Sequence, residues 1–333
     1  MEHGYLVVKR AFSREKAAAF TRDMWVRLGL DPHDPNTWPT DRDRIHMPVH
    51  SREPVATFAP RVWEIMKELL GGEERIDSAS STWGDSFIVN LGTPALAAQP
   101  TSLPPQELDN WHVDGDFFVH FLDSPEQALL VIPLFSDIQP RGGATYIAPE
   151  GLDRVARYLA AHPEGVYARN LSFIPTTTVD GTSAAGDPRA DPDPGYWSHP
   201  AEAKKCTRFV ELTGEVGDVV LLHPLMLHSA SKNHLRVPRV ITNPPVALRA
   251  PFCFARADPD AYSLVELKTL RALGVERFEF TPTTERRRVV PPRVALQEKM
   301  LAEEKRRLEE VARAKAAAGL DASALEARPI AVA

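Results

Sequence analysis

Apolar residues recur with a different spacing in three successive stretches of the chain. Near the N-terminus, Tyr5 to Val8 reads as a strand, and Ser13 is placed as the N-cap of a helix running from Arg14 to about Leu28. A second helix is expected from Pro60 to Leu70, ended by the pair Gly71-Gly72. From about residue 80 to 255 the pattern changes to short apolar runs separated by Pro, Gly and Asp: SFIVNL, DFFVHF, ALLVIPLF, ATYIAP, CTRFVEL, DVVLLH and RVITNPPVAL. Such runs predict many strands and turns rather than helices. Two excursions, Thr93 to Leu108 and Thr176 to Pro200, read as long loops, either surface segments or lids over a site.

The last third turns helical again. Pro292 to Leu320 is dense in Glu, Lys, Arg and Ala, with Leu296, Met300, Leu301, Leu308 and Val311 as a thin apolar stripe. The stripe is too sparse for sustained heptads, so this helix is expected to pack on its own domain. No internal repeat is present. The organisation expected is one domain over residues 1–333: a helical and strand flank (1–79), a β core (80–255) and a helical extension (256–333).

Composition narrows the class. A hydrophobic fraction of 43% over 333 residues supplies a large core. No apolar run approaches the roughly 18–20 residues that span a bilayer, and the opening MEHGYLVVKRAFSREK lacks the basic-then-apolar order of a secretory signal. An intracellular, cytoplasmic protein without a membrane partner is the expectation. The net charge of −6 argues against nucleic acid as the partner. The one basic cluster, Arg286-Arg287-Arg288, reads as a solvated segment, with an anionic substrate group as the alternative. Cys206 and Cys253 form no CxxC pair, which excludes a disulfide scaffold and a thiolate zinc site; both are read as reduced, buried thiols.

The chemistry lies in two segments. In Trp111-His112-Val113-Asp114-Gly115-Asp116, residues two apart on a strand share a face, so His112 and Asp114 can grip one ion. Imidazole with carboxylate suits iron, manganese or zinc, and a second histidine from elsewhere would complete a facial triad. Alone, the same spacing also fits a hydrogen-bonded surface pair. The second segment runs from Gly217-Asp218 through a strongly apolar strand to His223, Pro224 and His228. Both histidines follow the run and either could face the metal; Pro224 tends to end the strand at His223, which reads as a core residue or one standing behind the ligands. Further on, Arg239 opens another apolar strand. Pointing inward, its planar fork requires an anion and suits a carboxylate; the alternative is an exposed strand-end arginine.

WHVDGD, RGGATYIAPEG and GDVVLLHPLMLHSASKN with the downstream PRV resemble the phytanoyl-CoA dioxygenase-like branch of the iron(II)/2-oxoglutarate oxygenases. The resemblance covers most of the chain. In that family the third ligand is a histidine followed by a polar turn, an asparagine and an arginine, as in His228, Asn233 and Arg239 here. The resemblance implies a double-stranded β-helix, the cupin-like jelly roll, with flanking helices. It further implies iron(II) on His112, Asp114 and His228, with 2-oxoglutarate and dioxygen as co-substrates and Arg239 on the distal carboxylate of 2-oxoglutarate. Thr145 and Asn90 are candidates to donate to that co-substrate. After Ala148-Pro149 the chain reads Glu150-Gly151-Leu152 where relatives carry Gly-Ser-His in a loop that shapes the substrate pocket. Because Asp114 is present, chloride cannot take its position as in the related halogenases.

The function expected is therefore hydroxylation of an unactivated C–H bond in a small organic or lipid-like metabolite, with desaturation or ring formation as variants. Two other classes stay open: a zinc or manganese cupin acting as hydrolase or isomerase, and a non-catalytic binding protein on the same fold. Asp116 is read as standing behind the ligands, His120 as a hydrogen-bonded structural histidine, and Trp111 as core. Tyr196 and Trp197 are candidates to cover substrate, or else anchors of their loop.

Overall fold

The computed structural model describes residues 2–169, 172–176 and 197–318. Its strands in chain order are β1 (Tyr5–Val8), β2 (Arg44–His46), β3 (Arg52–Pro54), β4 (Thr82–Gly84), β5 (Ile88–Asn90), β6 (Val119–His120), β7 (Leu129–Pro133), β8 (Thr145–Ala148), β9 (Val166–Arg169), β10 (Ser172–Pro175), β11 (Val210–Leu212), β12 (Val219–Leu222), β13 (Leu227–Ala230), β14 (Arg239–Ile241) and β15 (Pro245–Val246). The helices are α1 (Arg14–Thr21), α2 (Met24–Leu28), α3 (Val55–Phe58), α4 (Pro60–Leu70), α5 (Pro94–Ala97), α6 (Pro149–Ala161), α7 (His199–Ala203), α8 (Leu264–Leu273) and α9 (Arg293–Ala317).

All pairings are antiparallel, in the orders β1-β12-β7-β15, β10-β9-β6, β11-β8-β13, β14-β5-β2 and β3-β4. The protein is thus mainly β, with helices around the sheets. Strands β7 and β12 are buried at every position, which is why they read as unbroken apolar runs. Every apolar run noted between residues 80 and 255 contains a strand.

The helices differ from expectation: besides the short α3 and α7, three places stand out. The span Arg14 to Leu28 is two helices, because Asp23 (φ −94°, ψ 1°) breaks the ladder and turns Met24 and Arg27 inward; Ser13 caps the first as expected. The segment Thr93 to Leu108 holds the short α5, capped by Thr93. The stretch expected to be strands only contains α6, whose Leu152, Val155, Ala156 and Leu159 form one buried face at helical spacing. Gly151 lies against Leu227 of β13, where an added Cβ would come within 2.5 Å of a Leu227 methyl. The Glu150 carboxylate accepts from the Thr207 amide and hydroxyl at 2.7 and 2.9 Å. The Glu-Gly-Leu segment therefore starts a packed helix, and neither Glu150 nor Leu152 lines the cavity described below.

Helix α9 packs against α2: of its apolar stripe Leu296 is 58% exposed, Met300, Leu301, Leu308 and Val311 are half-buried, and the one buried residue of the helix is Glu304. Glu304 Oε2 accepts from Arg27 Nε at 2.8 Å and lies 2.8 Å from His50 Nε2, while Arg27 also reaches Asp85 Oδ2 at 2.9 Å. Arg286 is not a solvated residue either: it pairs with Asp123 at 2.6 Å and lies over the Phe121 ring. Cys206 is buried and Cys253 exposed, the latter against expectation. Among the described residues no helix is long and apolar enough to cross a membrane.

Glu266 ties the outer helices together. It completes the capping box of α8 with Ser263, accepts from the Cys253 amide at 2.8 Å, and pairs with Arg75 at 2.9 Å and Arg256 at 2.8 Å. Burial alone would raise its carboxyl, but Arg256 and Arg75 outweigh that and hold it at about 2, below the ordinary 4.5. Glu266→Gln is expected to cost about 2–3 kcal/mol, below the roughly 3–5 typical of a broken buried pair because both arginines keep contact with water. Urea denaturation at several pH values checks this. The gap between wild type and variant should be full above pH 4.5 and shrink as pH falls towards 2, because the native carboxylate is then protonated.

Candidate metal centre

His112 and His228 are joined as an isolated bridge in which each main-chain amide donates to the other's carbonyl, at 2.9 and 3.0 Å. That pairing sets the two imidazoles side by side, with ring centroids 4.3 Å apart. His112 Nδ1 lies 2.7 Å from the Asn110 carbonyl and His228 Nδ1 lies 3.0 Å from the Met226 carbonyl. A carbonyl only accepts, so each Nδ1 carries the proton and each Nε2 presents its lone pair.

Both lone pairs face Asp114. Its Oδ1 lies 3.1 Å from His112 Nε2 and 3.5 Å from His228 Nε2. One ligand atom from each of His112, Asp114 and His228 can be chosen so that all three lie within 4.8 Å of one another, and this is the only such group among the described residues. Asp114 Oδ2 accepts from Asn243 Nδ2 at 3.0 Å. Burial alone would raise the Asp114 carboxyl, but His228 and His112 overcome it and hold it well below the ordinary carboxylate range. Burial likewise opposes charge on His228, yet Asp114 raises that imidazole above its usual value. An anionic carboxylate aimed at two imidazole lone pairs is a donor set for a divalent ion.

His112 and Asp114 do not share a continuous strand, contrary to expectation. Only His112 is paired, and the chain bends at Gly115 (φ +122°), where an added Cβ would meet the Phe118 ring at 2.5 Å. His120 Nε2 donates to the Gly115 carbonyl at 2.7 Å and so fixes that bend. Burial pushes this imidazole down to about 4, so it stays neutral, a structural histidine as expected. After the bend Asp116 stands on the wall of the cavity described below and forms a two-pronged pair with Arg293 at 2.6 and 2.7 Å.

His223 sits apart from this cluster. Its Nε2 lies 3.0 Å from Thr269 Oγ1, and its Nδ1 accepts from the Leu225 amide at 3.1 Å. With both nitrogens engaged and burial pushing its pKa to about 3, it is a core histidine. Trp111 is core, donating to the Pro105 carbonyl at 2.8 Å. Trp197 stacks on Tyr158 and Phe173, which anchors its segment; Tyr196 lies outside the described residues.

Arg239 points inward. It stands opposite Asn90 in the β14–β5 register, and Asn90 in turn stands opposite Arg44 of β2. The Arg239 side chain is 2% exposed and donates to the carbonyls of Gly143 (2.9 Å) and Ile88 (3.3 Å), while Nη2 has no partner. Burial, then Arg44, push it down to about 9. Asn90 spends its amide on main chain, donating to Ser231 O at 3.4 Å and accepting from Gly92 N at 3.1 Å. Thr145 pairs with Ala230, two residues along from the pairing of Ile147 with His228, so it shares the His228 face.

A cavity of about 480 Å³ opens on His112 and Asp114, with His46, Ser86, Gln127, Asn243, Arg293 and Gln297 among its walls. Arg239, Asn90 and Thr145 do not line it. The link between them is His46, whose ring is open to the cavity yet packed about by protein. Burial, then Arg44 and Arg239, push it down to about 4 against the pull of Asp114. Sequence reading missed His46, Asn243, Arg44 and Arg293. Arg44 and His46 share β2, Asn243 and Arg293 lie elsewhere in the chain, and no spacing rule links any of them to the ligands.

No protein-family model and no curated protein matches the chain. Among solved structures it is similar to the epimerase SnoN in complex with Fe3+, alpha ketoglutarate and nogalamycin RO, at 14% identity over 87% of this chain and 92% of that one, with a TM-score of 0.37. HygX from Streptomyces hygroscopicus, with nickel, 2-oxoglutarate and hygromycin B bound, is similar at 14% identity over 76% and 86%, with a TM-score of 0.35. EctD from S. alaskensis, with 2-oxoglutarate and 5-hydroxyectoine, is similar at 14% identity over 74% and 71%, with a TM-score of 0.32. All three scores lie below 0.5, so these are distant likenesses.

The choice between the two histidines is directly testable by titrating the purified apoprotein with cobalt(II). His228→Ala is expected to weaken cobalt binding by at least about 100-fold, whereas His223→Ala keeps the affinity and loses about 2–3 kcal/mol of stability for its buried hydrogen bonds and packing.

Proposed function

We propose that the chain is an iron(II)- and 2-oxoglutarate-dependent dioxygenase that hydroxylates an unactivated C–H bond of a small organic or lipid-like metabolite. The observation that carries this reading is Arg239: a guanidinium buried without a carboxylate partner, one nitrogen unsatisfied, in the sheet whose His46 lines the cavity of the His-Asp-His cluster. A buried cation needs an anion, and among the described residues Arg239 forms no ion pair: Asp43 attracts it only at a distance and leans on Arg44.

The charges around the cavity point the same way. Arg44, Arg239 and Arg293 are matched by Asp43, Asp114 and Asp116, so the unliganded site is balanced. A divalent metal leaves two positive charges over, which a dianion such as 2-oxoglutarate cancels. A hydrolase or isomerase reading gives Arg239 no task.

Within this reading His112, Asp114 and His228 would hold iron(II). Bound there, iron(II) and 2-oxoglutarate supply dioxygen chemistry: the keto acid becomes succinate and carbon dioxide, and a substrate C–H becomes C–OH. The chain fixes both imidazole tautomers through main-chain carbonyls, and Asn243 keeps Asp114 from turning. Arg239 receives the far carboxylate of the co-substrate. Thr145 adds a hydroxyl from the His228 face, and Asn90 holds the turn around it. Gln127, with its amide nitrogen buried and unpartnered, positions substrate on the cavity wall, while Met47, Val113 and Phe117 keep water from the reacting carbon. The fold this reading assigns is the double-stranded β-helix, and the family is the phytanoyl-CoA dioxygenase-like one, on the motifs around the ligands. An intracellular setting belongs to the same reading.

The experiment is calorimetric titration of the nickel(II)-loaded protein, which does not turn over, with 2-oxoglutarate. Wild type should bind it, and Arg239→Gln should bind about 30–100-fold more weakly, the usual cost of deleting one side of a buried charge pair, with nickel affinity unchanged. Equal affinity in the two proteins would remove Arg239 from the co-substrate site.

A further inference from the structure

Asn110 touches the segments that carry both histidine ligands. Its carbonyl oxygen holds His112 Nδ1 at 2.7 Å. Its side chain reaches across to the strand of His228, against Ser229 Oγ and 3.2 Å from the Ala230 carbonyl. On the other side it meets Arg44, with Nη1 and Nη2 at 2.6 and 3.2 Å. A guanidinium has only donors, so the amide oxygen faces Arg44 and the amide nitrogen donates to Ala230 O. Ser229 is fully buried, which leaves this contact no water to replace it.

Arg44 is an unusual clamp. Its one acid neighbour is Asp43 at 3.5 Å, too long for a strong pair, so the neutral Asn110 oxygen receives both prongs of its fork. It also stands in the β14-β5-β2 row with Asn90 and Arg239, and its charge depresses the Arg239 pKa.

We propose that Asn110, clamped by Arg44, is a positioning residue that sets how the His112 ring is turned relative to His228 and thereby the geometry of the metal they hold. The main-chain bridge fixes where the two Cα atoms stand. The Asn110 side chain fixes how the segment before His112 lies against β13, and so how far its carbonyl pulls the His112 ring. Partners of this kind behind a ligand typically contribute 10–100-fold in metal affinity.

The test is cobalt(II) titration of the full chain, reading the dissociation constant and the positions of the visible ligand-field bands, with the apoprotein melting temperature alongside. Asn110→Ala should weaken cobalt by about 10–100-fold and shift the bands. Asn110→Asp keeps an oxygen for Arg44 but loses the donor to Ala230, so it should fall between wild type and alanine. Arg44→Gln reads the clamp without altering the ligand segment and should also shift the bands, whereas a purely structural role would lower the melting temperature and leave them in place. Bands unmoved and affinity within about twofold of wild type in Asn110→Ala or Arg44→Gln overturn the proposal, given the size such partners normally have. The inference rests on the triad holding a metal. Wild-type protein that takes up no cobalt contradicts that reading itself, whereas cobalt bound equally by wild type and variants contradicts the Asn110 proposal alone.

Discussion

Two main-chain hydrogen bonds between His112 and His228 carry the site. They join a segment that lies outside any regular strand to β13, which is itself held in register against β8. Because the bridge is made of backbone, it fixes both Cα positions before any side chain acts. The remaining degrees of freedom are ring rotations, and each is removed by a carbonyl on Nδ1. Asp114 then needs only the bend at Gly115, pinned by His120, to bring its carboxylate between the two Nε2 atoms. Preorganisation here is a chain of local constraints, none of which requires the metal to be present first.

The second constraint is electrostatic. Arginine is among the costliest residues to bury, yet the β14-β5-β2 sheet places Arg239 inside and Arg44 two strands away on the same face. Neither has a strong carboxylate partner. Burial, with their joint field behind it, keeps His46 on the cavity wall neutral. Under the proposed function this field receives the co-substrate, and the same arginine row meets the His112 segment through Asn110.

What the sequence disclosed follows from where each element is buried. Strands β7, β12 and β14, closed in on both faces, announce themselves as apolar runs; the edge strands β2 and β3, built from Arg-Ile-His and Arg-Glu-Pro, carry no such signal. Helix α6 was hidden because it begins Pro-Glu-Gly, a turn composition, although the spacing of Leu152, Val155, Ala156 and Leu159 was legible. The division at Asp23 has no glycine or proline to mark it. His228 was preferred to His223 on the spacing of the family it resembles; in the structure His228 faces Asp114 while His223 is spent on Thr269 and Leu225. His46, Asn243 and Arg293 could not be found, since tertiary folding alone brings them to the cavity. The docking of α9 was legible only in part: the half-buried stripe follows the apolar spacing, but the buried Glu304 facing Arg27 is an ion pair, which apolar periodicity cannot register.

The central claim is that one site holds iron(II) and 2-oxoglutarate together, and a spectrum tests it most directly. Purified protein titrated anaerobically with iron(II) and then 2-oxoglutarate should develop the weak visible charge-transfer band of the keto acid chelated to the metal, saturating at one equivalent of each. Iron bound in that amount with no band at any 2-oxoglutarate concentration would contradict the account.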